Sequence, residues 1–405
     1  MKKDVILKTI LTIVITGIVT FTVTYVWIYS GGSLKGISSN SSSTSTIGAA
    51  IKSDALNVKL QKIKSKIYSD YLGDIDENKL QEYAIKGYVA GLGDQYSQYY
   101  TVDEMTELTS DTLGKYVGIG IYMTLDTEKN KIQVYSVMEN SPAEKSGLKA
   151  GDYIVGIDGN EVSGDDYDQI SSKIKGKAGS SVKITIERNN DKKEFEVKRE
   201  NISIIRVTGQ MLDNNIGYIY ISSFDGEIKK QFEEKYNELV KNGATSLIID
   251  LRNNGGGIVD EATEIGDMFT DKGTTLLIEE NNKKKQTKVV AKTDKKITMK
   301  TCVLVNKYSA SASEILAGIF KDVVDNVTVI GETTYGKGVI QALYQLADGS
   351  GLKLTIEEYL TPNGNKINKV GVTPDIEVKG YTFKETLEKD KDTQLKKAID
   401  VLTNK

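Results

Sequence analysis

The sequence predicts an α/β protein that is built from several domains and anchored in a membrane. Three patterns support this fold class: an uncharged apolar stretch over residues 9–29, short strands separated by glycine turns over 114–201, and alternating strands and helices over 202–380. With 405 residues, the chain is long enough for two or three domains and a sizeable core.

The N-terminal stretch predicts a single membrane-spanning helix. Residues 9–29 carry no charge and can cross a hydrocarbon core of about 30 Å. Lysines precede the stretch and aromatic residues occupy its far end: Lys2, Lys3, Lys8, Tyr25, Trp27 and Tyr29. This asymmetry predicts a cytoplasmic N-terminus and an outward-facing remainder. A cleaved signal peptide is the alternative, but the apolar run is long for one.

Changes in composition divide the chain into six parts. Residues 38–45 contain only Ser, Thr and Asn, which is typical of a flexible tether, and apolar residues then recur at spacings of three and four, which predicts helices. The predicted parts are a cytoplasmic stub with the membrane anchor (1–30), a Ser-rich linker (31–48), an N-terminal helical domain (49–113), a strand-rich domain (114–201), an α/β core (202–380) and a C-terminal helical segment (381–405).

The charge balance and the residue types present exclude several functions. The chain has 53 basic and 56 acidic residues, so no strong field favours nucleic acid or anionic lipid, and no nucleic-acid partner is expected. Cys302 is the only cysteine, which excludes an internal disulfide. A zinc site is not credible because the chain also has no histidine.

Two segments of the core carry residues suited to hydrolysis. Residues 306–314 contain Ser309, Ser311 and Ser313, and Lys337 lies between two glycines further along. A serine hydroxyl is a weak nucleophile until a base takes its proton, and without histidine that base must be lysine. Such a lysine needs dry, apolar surroundings that lower its pKa. The alternative is that the serines cap a helix and Lys337 is a solvated turn residue.

A glycine-rich turn follows the predicted strand at residues 245–250. Residues 251–257 lead from this strand into an amphipathic helix that begins near Val259. Backbone N–H groups at such a turn suit a developing negative charge, as in an oxyanion hole. They can equally cradle a phosphate, but the turn lacks the P-loop pattern, so nucleotide binding is the weaker interpretation.

Residues 114–201 resemble a PDZ domain. The resemblance depends on residues 141–152, which include a capped short helix, and on the Ile-Asp-Gly turn at 157–159. PDZ domains capture an extended chain end by strand addition, and loop N–H groups hold its terminal carboxylate. The resemblance implies that substrate tails bind at Val117, Gly118, Ile119 and Gly120. Arg188 is added to this predicted binding set because of its position alone.

Residues 94–378 resemble the carboxyl-terminal processing proteases, the tail-specific serine peptidases of bacteria. Besides the PDZ segment, the motifs appear in order at 94–100, 250–257, 309–315, 331–338, 359–364 and 371–376. The resemblance implies that Ser311 is the nucleophile, that Lys337 is the general base and that Gln341 orients the lysine amine. It also implies oxyanion N–H donors at Ala312 and at Gly256 or Gly257.

The implied reaction is hydrolysis of a peptide bond through an acyl-enzyme, without metal or cofactor. The resemblance further implies protein or peptide tails as substrates, a location at the bacterial cell membrane, and helical ends that can form a homodimer. Two alternatives stay open. One is a catalytically silent membrane protein that binds tails through its PDZ domain. The other is a penicillin-binding-type acyltransferase, although its S-D-N and K-T-G motifs are missing.

Overall fold

The computed structural model describes residues 26–28, 44–112, 115–380 and 391–404. The predicted membrane segment, residues 9–29, lies outside the described residues apart from Val26–Ile28, which form the short strand β1. Most of the predicted linker also lies outside them. Within the described ranges, no helix is long and apolar enough to cross a membrane.

The described chain divides into two compact units. One contains residues 27–105 and 344–354, and the other contains residues 106–343 and 355–404. The first unit is largely helical, as the spacing of apolar residues predicts. Its elements are helix α1 (Thr44–Asp70), helix α2 (Glu77–Ala90), strand β2 (Gln98–Tyr100) and the start of helix α3 (Val102–Thr112).

The second unit begins with the predicted PDZ fold. Its strands follow the order β4-β5-β6-β8-β9, with β7 beside β6, and Ile132, Ile154 and Ile184 are fully buried in its core. Its elements are β3 (Lys115–Gly118), β4 (Ile121–Asp126), β5 (Lys131–Val137), α4 (Pro142–Ser146), β6 (Tyr153–Ile157), β7 (Asn160–Glu161), α5 (Tyr167–Ile174), β8 (Ser181–Arg188) and β9 (Asp191–Lys198).

The core, apart from residues 344–354, belongs to the same unit and confirms the predicted α/β class. Its elements are β10 (Glu200–Ser203), β11 (Val207–Leu212), β12 (Ile216–Ile221), α6 (Ile228–Lys241), β13 (Ser246–Asp250), α7 (Val259–Asp267), β14 (Thr275–Asn281), β15 (Gln286–Val290), β16 (Thr301–Val305), α8 (Ala312–Val323), β17 (Val327–Gly331), β18 (Val339–Gln345), β19 (Gly351–Leu360), β20 (Ile376–Glu377) and α9 (Thr393–Thr403). The central sheet follows the order β11-β12-β13-β16-β17-β20, and the five strands after β11 run parallel.

This topology positions the candidate site. Strands β13, β16 and β17 are parallel neighbours, so the loops that follow them leave the same edge of the sheet. These loops are residues 251–258, 306–311 and 332–338. The three segments that the sequence analysis singled out therefore meet at one edge, although they are far apart along the chain.

A buried ion pair holds the first of these loops. Arg252 Nη2 lies 2.6 Å from Asp250 Oδ2 and 2.8 Å from Asp392 Oδ2, and all three side chains are almost fully buried. Arg252 Nη1 also donates to Gln394 Oε1 at 3.1 Å. Because Asp392 and Gln394 belong to the C-terminal segment around α9, that segment braces the start of the glycine-rich loop.

Candidate active site

The three serines of the 306–314 segment have different environments. Ser309 Oγ donates to Leu251 O at 2.8 Å, and Ser313 Oγ donates to Asn254 O at 2.9 Å. Both hydroxyls therefore hold the glycine-rich loop. Ser311 instead begins helix α8 with a φ of 56° and a ψ of −117°, a conformation that a residue with a side chain rarely adopts. Such strain at a strand-to-helix turn is typical of a nucleophile elbow, and in this structure Ser311 is fully buried.

The carboxylate of Glu314 connects the serine segment to the lysine segment. Its Oε2 accepts hydrogen bonds from Ser311 N and Lys337 N, each at 2.8 Å. Its Oε1 accepts from Gly336 N and Thr334 Oγ1, each at 2.6 Å. The structure therefore brings Ser311 and Lys337 together around one buried side chain.

Burial raises the pKa of Glu314, and its four hydrogen-bond donors oppose that rise. All four partners are donors, which suits an ionised carboxylate with acceptor atoms only. The sequence analysis quoted Glu314 but gave it no role. The sequence feature that could have identified Glu314 is its Ser-x-x-Glu spacing from Ser311, which is typical of a capping box.

Lys337 lies at the bend that its flanking glycines predict. Gly336 has a φ of 90°, and a Cβ on Gly338 would lie 2.3 Å from Asn368 N. The Tyr359 hydroxyl donates to the Lys337 carbonyl oxygen. Only glycine fits on either side of this lysine, so the bend that turns the chain into β18 is fixed by sterics.

Gln341 is buried in the middle of β18. Its Nε2 donates to Thr355 Oγ1 on β19 at 3.1 Å. This contact fixes the orientation of the amide group. Because an amide has a donor end and an acceptor end, the contact also decides which end faces away from Thr355.

Gly256 packs directly against the candidate nucleophile. A Cβ on this residue would lie 2.7 Å from Ser311 Cβ and 3.0 Å from Ala312 N, and its φ is 104°. However, its own N–H donates to Asn254 Oδ1 at 2.9 Å. The N–H groups of Gly257 and Ala312 donate to no acceptor among the described residues. Hydrogen bonding therefore favours Gly257 over Gly256 as the available N–H donor of the glycine-rich turn.

Asn254 was missed by the sequence analysis, yet it organises this loop. Its Nδ2 donates to Ile221 O at 2.8 Å, while its carbonyl oxygen accepts from Ala310 N at 3.0 Å. It is fully buried. Asn254 directly precedes Gly255, and an adjacent Asn-Gly pair is a common turn signal that could have identified it.

The predicted tail-binding loop divides into two parts. Val117 and Gly118 belong to β3, where they pair with Asn201 and Glu200 of β10. Ile119 and Gly120 line a groove of about 280 Å³ between the start of β4 and the end of α5. Within the described chain, the N–H groups of Ile119 and Gly120 donate to no acceptor.

Arg188 lies elsewhere in the PDZ domain and is not part of the groove wall. Its Nε and Nη2 donate to the two carboxylate oxygens of Asp152, at 2.6 and 2.7 Å, and Nη2 donates to Gly147 O at 2.9 Å. The side chain therefore ties the end of α4 to β8. The structure does not bring Arg188 together with the other predicted binding residues.

Three protein-family models match the chain. Residues 215–378 match peptidase family S41, residues 117–198 match the PDZ domain, and residues 13–105 match the N-terminal domain of the activating protease CtpB. The first two ranges coincide with the core and the strand-rich domain described above.

Similar curated proteins include the carboxy-terminal processing protease CtpA of Bacillus subtilis (strain 168), which is 36% identical over 337 residues, or 82% of this chain and 72% of that protein. A probable CtpA-like serine protease of Staphylococcus haemolyticus (strain JCSC1435) is 35% identical over 79% of this chain, which spans 64% of that protein. Among solved structures, a photosystem II D1 C-terminal processing protease is 28% identical, with a TM-score of 0.45 over 78% of this chain and 86% of that one.

Proposed function

This chain belongs to the carboxy-terminal processing proteases of peptidase family S41, serine-type peptidases, and from that premise we propose that Ser311 is its nucleophile and Lys337 its general base. The family resemblance inferred from the motifs is thereby confirmed, whereas the residue roles are our proposal. The main support for these roles is Glu314 Oε2, which accepts hydrogen bonds from the backbone N–H groups of both Ser311 and Lys337.

The proposed reaction proceeds through an acyl-enzyme. Ser311 Oγ attacks the scissile carbonyl carbon while its proton passes to the neutral amine of Lys337. Ala312 N–H and Gly257 N–H donate to the oxyanion, and Lys337 then protonates the leaving amine. A water molecule releases the acyl group as a carboxylate, with Lys337 again taking the proton.

In this scheme, Gln341 is a positioning residue. Its Nε2 donates to Thr355, and its amide oxygen is the kind of acceptor that a lysine amine requires. A lysine oriented in this way presents its lone pair to Ser311 when neutral. Because the base acts only when neutral, kcat/KM is expected to rise with pH.

The experiment that tests the activity is mass spectrometry of the products formed from a folded protein substrate by the purified full chain. Discrete cleavage products that disappear in the Ser311→Ala variant would support the proposal. Intact substrate with the unsubstituted chain, under conditions where it binds the substrate, would instead favour a catalytically silent tail-binding protein.

We further propose that the PDZ groove receives the C-terminal tails of protein substrates. Ile119 and Gly120 present two backbone N–H groups without protein acceptors, next to the open start of β4. An extended tail can add to this strand while the N–H groups bind its terminal carboxylate.

The membrane anchor and the homodimer are also proposals. Residues 9–29 have the length and flanking charges of a single-pass helix, which would hold the peptidase on the outer side of a bacterial cell membrane. The N-terminal helices expose several apolar side chains that a second copy can cover: Leu56, Leu60, Ile63, Leu80, Tyr83 and Tyr88. Sedimentation of the full chain, and its protease accessibility in sealed vesicles, would test the two proposals separately.

A further inference from the structure

Arg206 lies in the connection between the two matched domains, outside both 117–198 and 215–378. It is half-buried, and its side chain lines the PDZ groove. Its Nε is fully buried without a hydrogen-bond partner, and no acidic side chain of the described ranges forms an ion pair with it. A guanidinium group is always charged and carries only donors, so this arrangement suits an anion that comes from outside the chain.

The residues that line the groove indicate which kind of anion it can bind. Its walls are largely apolar, with Ile121, Met123 and Ile174 among the lining residues. Lys175 adds a second cation, and no Asp or Glu lines the described groove. A groove with apolar walls, positive charge and unpaired loop N–H groups matches an apolar chain end with a free α-carboxylate.

The backbone of Arg206 is held by the peptidase core. Its N–H donates to Gln231 Oε1 on α6 at 2.9 Å. Its carbonyl oxygen accepts from Ser222 N at 2.9 Å and from Ser222 Oγ at 3.2 Å. The cation in the groove is therefore attached to the end of β12 and to α6, whereas the other walls belong mainly to the PDZ domain.

We propose that Arg206 binds the α-carboxylate of a substrate tail in the PDZ groove, so that the peptidase core supplies part of the tail site. This inference rests on the proposed function, in which the groove receives tails. A tail bound in this way contacts both domains at once. Arg206 thus becomes a specificity-determining residue, because it distinguishes a true chain end from an internal segment.

The test measures peptide binding to the full chain, with Ser311→Ala present throughout to prevent cleavage. The probe is a fluorescently labelled peptide with an apolar C-terminus, prepared as the free acid and as the amide. With Arg206 intact, the acid should bind at least about tenfold more tightly, the effect of one charge-assisted hydrogen bond. Arg206→Gln should weaken binding of the acid about tenfold, should retain only the preference that the loop N–H groups provide, and should leave binding of the amide unchanged.

Two further variants provide controls. Arg206→Lys keeps the positive charge and should retain part of the preference for the acid. Lys177→Gln removes an exposed cation outside the groove and should retain all of it. An unchanged amide affinity in every variant shows that the groove is intact.

The experiment distinguishes a failure of the role proposed for Arg206 from a failure of tail recognition itself. If Arg206→Gln keeps the full preference for the acid, another group binds the carboxylate and the role of Arg206 is overturned, while tail recognition stands. If acid and amide bind equally when Arg206 is intact, the groove does not recognise a chain end. Both the proposed tail recognition and the proposed role of Arg206 are then refuted.

Discussion

The backbone N–H groups of Ser311 and Lys337 donate to the same atom, Oε2 of Glu314, each at 2.8 Å. A single buried carboxylate thus positions the segment of the proposed nucleophile and the segment of the proposed base. Because Glu314 is anchored in helix α8, the distance between the two segments depends on a rigid element. We regard this carboxylate as the structural centre of the proposed site.

The first prediction concerns the proposed pair itself. Ser311→Ala and Lys337→Ala should each lower the rate of peptide hydrolysis by at least about 1,000-fold, because either change removes one half of the nucleophile and base. Thermal unfolding should be nearly unchanged. Initial rates on a protein substrate and calorimetry of the same samples provide the two measurements.

The neighbouring serines are the matched controls. Ser309→Ala and Ser313→Ala should retain most of the activity, but each should lower the free energy of unfolding by about 1 kcal/mol, since each loses a buried hydrogen bond to the glycine-rich loop. An inactive Ser313→Ala protein beside an active Ser311→Ala protein would show that the nucleophile has been assigned to the wrong serine.

The second prediction is that Glu314→Gln lowers kcat by about 100-fold, although the residue need not touch the substrate. A glutamine has one acceptor oxygen, so its NH₂ group would face two of the four donors and push the loops apart. Displacements of about 1 Å between reacting groups cost rates of this order. Glu332→Gln changes a half-exposed glutamate in the 332–338 loop, which Glu314 contacts, and should be close to normal.

The alternation of strands and helices correctly predicted the α/β class of the core, whereas only the family resemblance implied that the three loops meet. The sequence did not predict the role of Glu314, since a capping-box glutamate also occurs at ordinary helices. Nor could the sequence show whether Gly256 or Gly257 provides the available N–H donor of the glycine-rich turn. That difference depends on Asn254 Oδ1, whose position is set by contacts with Ile221, 33 residues away.

In the PDZ segment, too, the sequence pattern could not predict contacts between residues that are far apart along the chain. The glycine pattern located the loop, but Val117 and Gly118 pair with Asn201 and Glu200 of β10, about 80 residues further along the chain. The motif residues alone do not indicate which distant strand pairs with β3. The pairing of Arg188 with Asp152 is likewise a tertiary contact that position alone could not indicate.

The third prediction compares two adjacent glycines. Gly256→Ala should lower kcat by at least about 100-fold, because its Cβ would lie 2.7 Å from Ser311 Cβ and would displace the proposed oxyanion donors. A Cβ on Gly255 would have no neighbour within 4 Å, and Gly255 does not have a positive φ. Gly255→Ala should therefore behave like the unsubstituted chain. Equal losses in both variants would refute the steric argument.

The fourth prediction concerns the pH dependence of stability. Burial raises the pKa of Glu261 to about 7, and the nearby Glu264 and Asp260 add to the rise. Backbone hydrogen bonds from Ile228 and from Lys229 N, at 2.5 Å, oppose it. Since the folded-state pKa lies above the unfolded value of about 4.3, the folded state binds more protons between the two values. The free energy of unfolding should fall as the pH rises through this window and then level off.

Glu261→Gln should remove this part of the pH dependence. The variant should be more stable than the unsubstituted chain by at most about 4 kcal/mol above pH 7, since the pKa rises from about 4.3 to about 7 and one pKa unit corresponds to about 1.4 kcal/mol, and the difference should vanish near pH 4. Glu234→Gln, exposed on α6, is the control and should not change the profile. Denaturant unfolding at several pH values provides the measurement, and parallel curves for the Glu261→Gln variant and the unsubstituted chain would contradict the prediction.

The fifth prediction concerns Arg188, which the structure places in a structural ion pair. The side chain of Asp152 is 1% exposed and that of Arg188 is 22% exposed, so Arg188→Ala leaves a buried carboxylate without its cation. We expect the PDZ domain to lose about 3 kcal/mol of stability, measured by denaturant unfolding. Lys192→Ala breaks an exposed pair with Glu161, at 63% and 90% exposure, and should cost less than about 1 kcal/mol. Unchanged unfolding of Arg188→Ala combined with an altered response of hydrolysis to added tail peptide would instead assign Arg188 to signal transmission, against the structural role argued from its contacts.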